Sequence, residues 1–174
     1  MAIDTADLAE VQTLSVAHPS QAPGLVGKTF VSPWFTMDPD HSELFHRATY
    51  MDAYVHPYPD DGYGEGLVEG YHLLGMLDVL LNHVLWSETP LIPWNYGLDR
   101  VRFVSVIRWS DRFRLRGTVT EVIDRGSQGW LLVADIVGEV EGRDRPGFIA
   151  TQRVLWATPD SAASGPADAS PAAR

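Results

Sequence analysis

The chain lacks cysteine and is short of positive charge, and both features exclude classes of function. Without cysteine there are no disulfide bonds and no thiolate chemistry, which suits a cytoplasmic protein. The 13 basic residues face 23 acidic ones, and the net charge of -10 argues against nucleic acid as the main partner, because a phosphate backbone requires a basic surface. The first residues carry acids and no basic segment before an apolar one, so we expect no signal peptide.

The chain also lacks an apolar run long enough to span a membrane. The longest run, residues 66–86, is short for a bilayer and is interrupted by His72, Asp78, Asn82 and His83. Leucines at three- and four-residue steps predict a helix from Gly70 to Trp86, about 25 Å long at 1.5 Å per residue. Because most of its circumference is apolar, we expect protein to surround this helix on nearly all sides.

Glycines crowd the start of the predicted helix, at positions 62, 64, 66 and 70. The free N–H groups and the positive end of the helix dipole could hold a developing negative charge there. Alternatively, the segment is simply a core helix that follows a flexible turn. The preceding loop, from Met51 to Gly66, is long for a compact domain, and loops of that length are more often functional than accidental.

The last third of the chain alternates apolar and polar residues in the manner of β-strands. Four such segments occur, at residues 101–109, 113–119, 130–140 and 148–156. Because turn residues separate them, we expect an antiparallel meander whose apolar face is covered by the central helix. Nearer the N-terminus we expect a short edge strand, and Asp38 with Pro39 predicts the start of a helix that runs to about Tyr50.

These elements predict an α+β protein in which a long helix is wrapped by a curved antiparallel sheet, which is the hot-dog fold. Residues 23–157 are expected to form this single domain. Residues 1–22 are expected to be a flexible segment, in which Thr5 to Val16 could form a short helix. Residues 158–174 are rich in Ala, Ser and Pro and predict a disordered tail.

Several separated blocks between residues 25 and 157 occur in the same order as in a known protein family. They are Gly27-Lys28, Ser32-Pro33-Trp34, Phe45, Ala48-Thr49, His56, Gly70, Asn95-Tyr96-Gly97, Val101-Arg102-Phe103 and Glu139-Val140-Glu141-Gly142. In this the chain resembles the MaoC-like dehydratases, in particular their NodN-like branch. The resemblance implies a homodimer or higher homo-oligomer that acts on acyl thioesters of coenzyme A or acyl carrier protein and needs no cofactor beyond that carrier. The implied reaction is R-specific hydration of a trans-2-enoyl thioester, or the reverse dehydration.

The resemblance also implies a histidine and an aspartate five residues apart on the loop before the helix, where they perform acid–base chemistry on water and on the α-carbon. His56 matches the histidine and would be the general base, and its alternative is a surface histidine in a proline-rich loop. Gly70 matches the glycine whose N–H receives the thioester carbonyl, and its alternative is a tight start to the helix. Beside it, Tyr71 is expected to contact substrate.

The chain departs from the family pattern at the other catalytic positions. Counting back from His56 reaches Met51, which carries no proton. Asp52 is adjacent and could replace the family aspartate, although it could also be a solvated loop acid. Glu69 stands where the family has a histidine before the glycine. It could be a relocated acid or base, or only a favourable partner of the helix dipole.

Other polar residues carry weaker hypotheses. Asn95 and Tyr96 are expected to line the acyl tunnel or the dimer seam. Asp78 could be a catalytic acid but is expected to hydrogen-bond at the sheet or dimer boundary. His72 and His83 are too isolated to predict a metal site. Three arginines share one strand face and could bind the phosphates of the carrier, although a solvated face is the simpler interpretation: Arg112, Arg114 and Arg116.

The sequence therefore favours an enzyme of the hydratase/dehydratase class with an altered catalytic dyad, which performs either ordinary hydration or a specialised biosynthetic reaction. Two alternatives stay open. One is a thioesterase in which Glu69 or Asp78 positions water at the carbonyl. The other is a hot-dog protein without catalysis that binds an acyl chain or serves as a partner subunit, which the loss of the aspartate at Met51 would favour.

Overall fold

The computed structural model describes residues 10–53 and 65–157, and these form an α+β fold, as predicted. The elements are β1 (Leu14–Val16), a 3-10 helix (Pro19–Leu25), β2 (Thr29–Val31), β3 (Phe35–Thr36), α1 (Pro39–Ala48), a 3-10 helix (Met51–Ala53), α2 (Gly70–Asn82), β4 (Leu85–Ser87), β5 (Ile92–Phe103), β6 (Arg112–Asp124), a 3-10 helix (Gly126–Gln128), β7 (Gly129–Val140) and β8 (Phe148–Ala157). Within the described ranges, no helix is long and apolar enough to cross a membrane.

A six-stranded sheet forms the body of the protein, in the order β2-β6-β7-β8-β5, with β3 also beside β6. The predicted hairpins from β6 to β8 are present, with antiparallel registers. The predicted four-strand meander is wrong at its first strand, because β5 pairs with β8 at the far edge of the sheet. This strand starts at Ile92, upstream of the predicted start at residue 101, and its edge position tolerates Pro93, which has no N–H to donate.

Helix α2 lies against this sheet and supplies five buried side chains to the core: His72, Leu73, Leu77, Leu80 and Leu81. The opposite side is open, with Tyr71 80% exposed, so the expectation of a nearly surrounded helix does not hold within one chain. The helix also ends four residues before Trp86. The ring of His83 bonds to the carbonyl of Val79 at 2.6 Å, which is the acceptor that a continuing helix would use. The following residues form β4, which pairs in parallel with β1.

Helix α1 begins as predicted, with Asp38 as N-cap and Pro39 at the first position. The Asp38 carboxylate accepts from the N–H of Asp40 at 3.0 Å. At the other end, Tyr50 adopts a left-handed conformation with φ 58°, which turns the chain away from the helix axis. This turn leads into the 3-10 helix Met51–Ala53.

Residues 10–25 differ from the predicted flexible or helical N-terminal segment. Leu14 lies in β1, and both Ala22 and Leu25 are buried in the core under the 3-10 helix. The N–H of Gln12 bonds to Val31 O at 3.0 Å, which ties this segment to β2. Apolar burial therefore begins upstream of the predicted boundary at residue 23. Residues 1–9, the tail 158–174 and the loop 54–64 lie outside the described residues.

Candidate active site

The start of α2 is held in place by a short backbone pairing with the segment that follows β5. The N–H of Val68 donates to Ile107 O at 2.9 Å, and the N–H of Trp109 donates to Gly66 O at 2.9 Å. Gly66 has φ +80°, and the Trp109 indole lies so close that a Cβ there would meet it at 2.8 Å. A glycine is therefore required at position 66. The backbone that leads into Glu69 and the first turn of α2 is fixed by this pairing.

A cavity of about 490 Å³ lies beside this first turn. Most of its lining is apolar, and it is formed by Leu67, Val68, Gly70, Tyr71 and Leu73 together with residues 103–107. The ring of Phe103 lies directly over Gly70, where a Cβ would meet it at 2.5 Å. The first N–H groups of a helix have no intrahelical acceptor, and the Glu69 side chain does not cap them. The cavity therefore borders the positive end of the α2 dipole.

The Glu69 carboxylate is turned away from the helix N–H groups and towards two histidines. Its Oε1 accepts a hydrogen bond from Nε2 of His46 on α1, and its Oε2 lies 3.9 Å from Nδ1 of His72. The Glu69 side chain is 17% exposed and the His46 side chain 42% exposed. Neither Glu69 Oε2 nor His72 Nδ1 has a hydrogen-bond partner among the described residues, although both atoms are buried. Glu69 therefore occupies the N-cap position of α2 without a side-chain cap hydrogen bond, and its role as a partner of the helix dipole stays a prediction.

His72 is a buried neutral group in this cluster. Its ring stacks on Phe45 with 4.5 Å between centroids and 6° between planes. Burial lowers the pKa of His72; the charge of Glu69 opposes this, while those of His41 and His46 add to it. The neutral imidazole is the form expected at pH 7. The carboxylate thus has one histidine that binds it and a second that faces it without a direct bond.

A second cavity, of about 410 Å³, runs along the open face of α2 towards β5 and β8. Asn95 lines it, donating to Asp78 Oδ1 at 3.4 Å and accepting from Nε2 of Gln152 at 3.5 Å. Asp78 therefore bonds at the boundary between helix and sheet, which agrees with the simpler of its two interpretations. Gln152 is buried, and its Oε1 has no partner among the described residues. Tyr71 lines both cavities.

Tyr96 lies apart from these cavities. It packs with the small cluster of Leu131, Leu155 and Ala157, and its hydroxyl accepts from Arg125 at 3.4 Å. Tyr96 is not among the residues that line the second cavity, and the pairing of β5 with β8 has a register shift between Asn95 and Gly97 that leaves Tyr96 outside the ladder.

The three arginines of β6 form salt bridges with acidic side chains. Glu139 Oε2 accepts from Arg114 Nε at 2.8 Å and Glu139 Oε1 from Arg116 Nε at 2.6 Å, while Arg112 pairs with Glu141 at 2.7 Å. Arg114 also pairs with Glu10 and lies 4.2 Å from the Trp34 ring centre. Each of the three arginines thus has an acidic partner, and the side chain of Arg114 is 10% exposed whereas that of Arg116 is 47% exposed. The phosphate site stays a prediction.

The predicted site residues are therefore placed unevenly. Gly70 and Tyr71 line the first cavity, and Asn95 lines the second. Glu69 directly precedes Gly70, with its carboxylate bonded to His46. Asp52 belongs to the 3-10 helix Met51–Ala53, and His56 lies outside the described residues. His46 was not predicted, because nothing in the sequence pattern of α1 connects it with a residue 23 positions later. No three His, Asp or Glu side chains in the described ranges are placed to hold a metal ion.

Comparison with known proteins identifies relatives over most of the chain. Nodulation protein N of Rhizobium leguminosarum bv. viciae is 33% identical over 144 residues, covering 79% of this chain and 88% of that protein. The 3-hydroxyacyl-thioester dehydratase Z of Mycobacterium tuberculosis is 27% identical over 146 residues, covering 82% and 95%. No family model matches the chain.

Solved structures agree on the fold. The monoamine oxidase regulatory protein from Archaeoglobus fulgius superposes with a TM-score of 0.61 at 15% identity, covering 85% of this chain and 99% of that one. The MaoC-like dehydratase from Rhodospirillum rubrum superposes with a TM-score of 0.54 at 14% identity, covering 77% and 94%. The predicted hot-dog fold is thereby confirmed.

Proposed function

Because the chain belongs to the MaoC-like dehydratase family, we propose that it interconverts an enoyl thioester and a 3-hydroxyacyl thioester. The observation that carries the proposal is the first turn of α2. There the Gly70 N–H borders a largely apolar cavity of about 490 Å³, and the mostly buried Glu69 carboxylate belongs to the residue directly before it. A carboxylate beside an apolar pocket and uncapped N–H groups is suited to acid–base chemistry next to a carbonyl that gains negative charge.

In the hydration direction, the oxygen of water forms a bond to the β-carbon while His56 accepts the proton that water loses. The electrons of the double bond move towards the thioester carbonyl, whose oxygen the Gly70 N–H receives. A proton from the second carrier then reaches the α-carbon and restores the carbonyl. Dehydration is the same sequence reversed.

Glu69 is the better supported of the two proposed second carriers. Its carboxylate is mostly buried and directly precedes Gly70, so it would lie close to a carbonyl bound there. Asp52 stays the alternative, since it is next to the position where the family has its aspartate. Tyr71 and Asn95 are proposed to contact the acyl chain, because they line the two cavities along α2. Tyr96 is proposed to serve the dimer seam.

The acyl group is proposed to be carried on coenzyme A or on the phosphopantetheine of a carrier protein, with no further cofactor. We also propose a homodimer or a higher homo-oligomer. The 12-residue strand β5 ends the sheet and leaves one edge without a strand among the described residues. Exposed apolar side chains surround that edge, namely Tyr71, Ile92, Trp94 and Phe103. Such an edge favours a second chain.

The test is turnover of a short trans-2-enoyl thioester, followed by loss of the enoyl absorbance. We expect wild-type turnover, and a loss of about 100-fold in kcat for His56→Ala and for Glu69→Gln, the scale of a lost general acid or base. A folded wild type that leaves the enoyl group unchanged would contradict the proposal. Release of free thiol without loss of the double bond would identify a thioesterase instead, and binding without turnover would identify an acyl-binding protein.

A further inference from the structure

The contact between α1 and Glu69 has no role in the reaction steps proposed above. His46 lies near the end of α1, 23 positions before Glu69, and its Nε2 bonds to only one of the two carboxylate oxygens. The second oxygen, Oε2, is buried and has no hydrogen-bond partner among the described residues. One oxygen is thus held by His46, and the other is enclosed by protein without a hydrogen bond among the described residues, on the residue that directly precedes Gly70.

We propose that His46 is a positioning residue for the reaction, which fixes Glu69 Oε1 so that Oε2 carries the proton to and from substrate. This rests on the proposed function. A catalytic carboxylate is commonly oriented by a further group that bonds to the atom not used in chemistry. Here the orienting group is an imidazole N–H from a neighbouring helix, and it takes the place that a helix N–H would have at an ordinary N-cap.

The surroundings of Glu69 explain why a single bond from His46 decides its orientation. On the other side of the carboxylate stands His72, which is 3.9 Å from Oε2 and therefore too distant for a direct hydrogen bond. The His72 ring is itself fixed by its stack on Phe45, which leads back to α1. Without His46, the carboxylate would be free to rotate towards the N–H groups of α2, and Oε2 would become a helix cap.

A contribution to stability alone does not explain the His46–Glu69 pair. His46 is 42% exposed, and ion pairs with one partner that accessible contribute from nothing to about 1 kcal/mol. The burial of an unpartnered carboxylate oxygen and an unpartnered imidazole nitrogen carries a cost that this bond does not offset. An arrangement that is unfavourable for stability and adjoins a cavity is the kind that function maintains.

The test measures kcat and KM separately for wild type, His46→Ala and His46→Gln on a trans-2-enoyl thioester. We expect His46→Ala to lower kcat about 10-fold with KM nearly unchanged, because the carboxylate is misplaced but the binding surfaces stay intact. Glutamine can present an N–H near the position of Nε2, so His46→Gln should restore kcat to within about 3-fold of wild type. His41→Ala, on the same helix and without a hydrogen bond to Glu69, is the matched control and should keep kcat.

The same substitution is then made in the Glu69→Gln background. If His46 acts through Glu69, His46→Ala lowers kcat no further there, since residues that act as a unit are not additive. Equal further losses in both backgrounds would overturn the role of His46, and so would a His46→Gln variant as slow as His46→Ala. A wild type without turnover would overturn the proposed function itself. Failure of the proposed function can therefore be distinguished from failure of the role of His46.

Discussion

Two clusters of charged side chains, one along β6 and one at the start of α2, differ in how completely their polar atoms are paired. Along β6, Arg114 has a side chain only 10% exposed and is paired with Glu10 and Glu139 while it lies over Trp34. At the start of α2, Glu69 has one histidine partner and one buried oxygen that has no hydrogen-bond partner among the described residues. The first cluster satisfies its charges within the protein, and the second leaves buried polar atoms without hydrogen bonds in this part of the chain.

The titration behaviour of the two clusters agrees with this difference. Burial alone would raise the pKa of Glu139, but hydrogen bonds from Arg116 and Arg114 lower it overall. Burial alone would lower the pKa of Arg114, but Glu139 and Glu10 raise it overall. In the α2 cluster burial prevails instead, and the pKa of His72 falls despite the nearby Glu69. Charges that are matched contribute to stability, whereas groups left unmatched are available for chemistry.

The largest expected effect on stability belongs to the β6 cluster. Arg114→Ala removes a mostly buried guanidinium that bonds to two acids and covers Trp34, so we expect a loss of about 2 to 3 kcal/mol in the free energy of unfolding. Arg116→Ala, whose partner Glu139 keeps its bond to Arg114, should cost under about 1 kcal/mol. Urea unfolding measures both, and equal losses would show that the burial of Arg114 is irrelevant.

A second prediction compares an alanine substitution at the start of α2 with one in the middle of the helix. In Gly70→Ala the new Cβ would meet the Phe103 ring at 2.5 Å, so the ring must move at the mouth of the cavity. We expect kcat/KM for an enoyl thioester to fall about 10-fold, as for a small misplacement at a reacting centre. Gly75→Ala is the comparison in the middle of α2, where the residue lines the second cavity and nothing lies within 4 Å of its Cβ. It should change kcat/KM less than Gly70→Ala does and raise stability by up to about 1 kcal/mol.

The smallest expected effect is a change in how stability depends on pH. Because burial lowers the pKa of His72, the unfolded chain binds a proton there more readily than the folded one. Stability contributed by neutral His72 is therefore lost as pH falls below the ordinary histidine value of about 6.5. His72→Phe keeps a ring against Phe45 and should lose less stability than wild type between neutral pH and about pH 5. His83→Phe, at an exposed position, should follow wild type.

Local signals in the sequence were sufficient for much of the fold. Asp38 and Pro39 predicted the start of α1 because capping depends only on neighbouring residues. The alternation of β6 to β8 predicted those strands because one face is buried along their length. The start of β5 was missed because Pro93 resembled a linker residue, and its place at an edge is a property of the whole sheet.

The candidate site was less predictable for a physical reason. Glu69 and Gly70 could be identified from their positions before an apolar helix, but the partner of Glu69 comes from another helix across a loop. No periodicity connects His46 with that carboxylate. The same limit applies to Tyr96, which was grouped with Asn95 because both match the family pattern, whereas Tyr96 packs on a separate cluster at a register shift in β5. Contacts between elements decide these cases, and only the tertiary structure provides them.

The most direct test of the account compares Glu69→Gln with Glu139→Gln, measuring kcat/KM on a trans-2-enoyl thioester and the melting temperature of each. We predict that Glu69→Gln loses about 100-fold in kcat/KM and keeps its melting temperature, because its carboxylate serves chemistry. Glu139→Gln should keep kcat/KM and melt several degrees lower, because it removes charge from two arginine bonds, worth about 2 kcal/mol. If Glu69→Gln instead melts lower and keeps kcat/KM, its carboxylate is a structural group and the account is wrong.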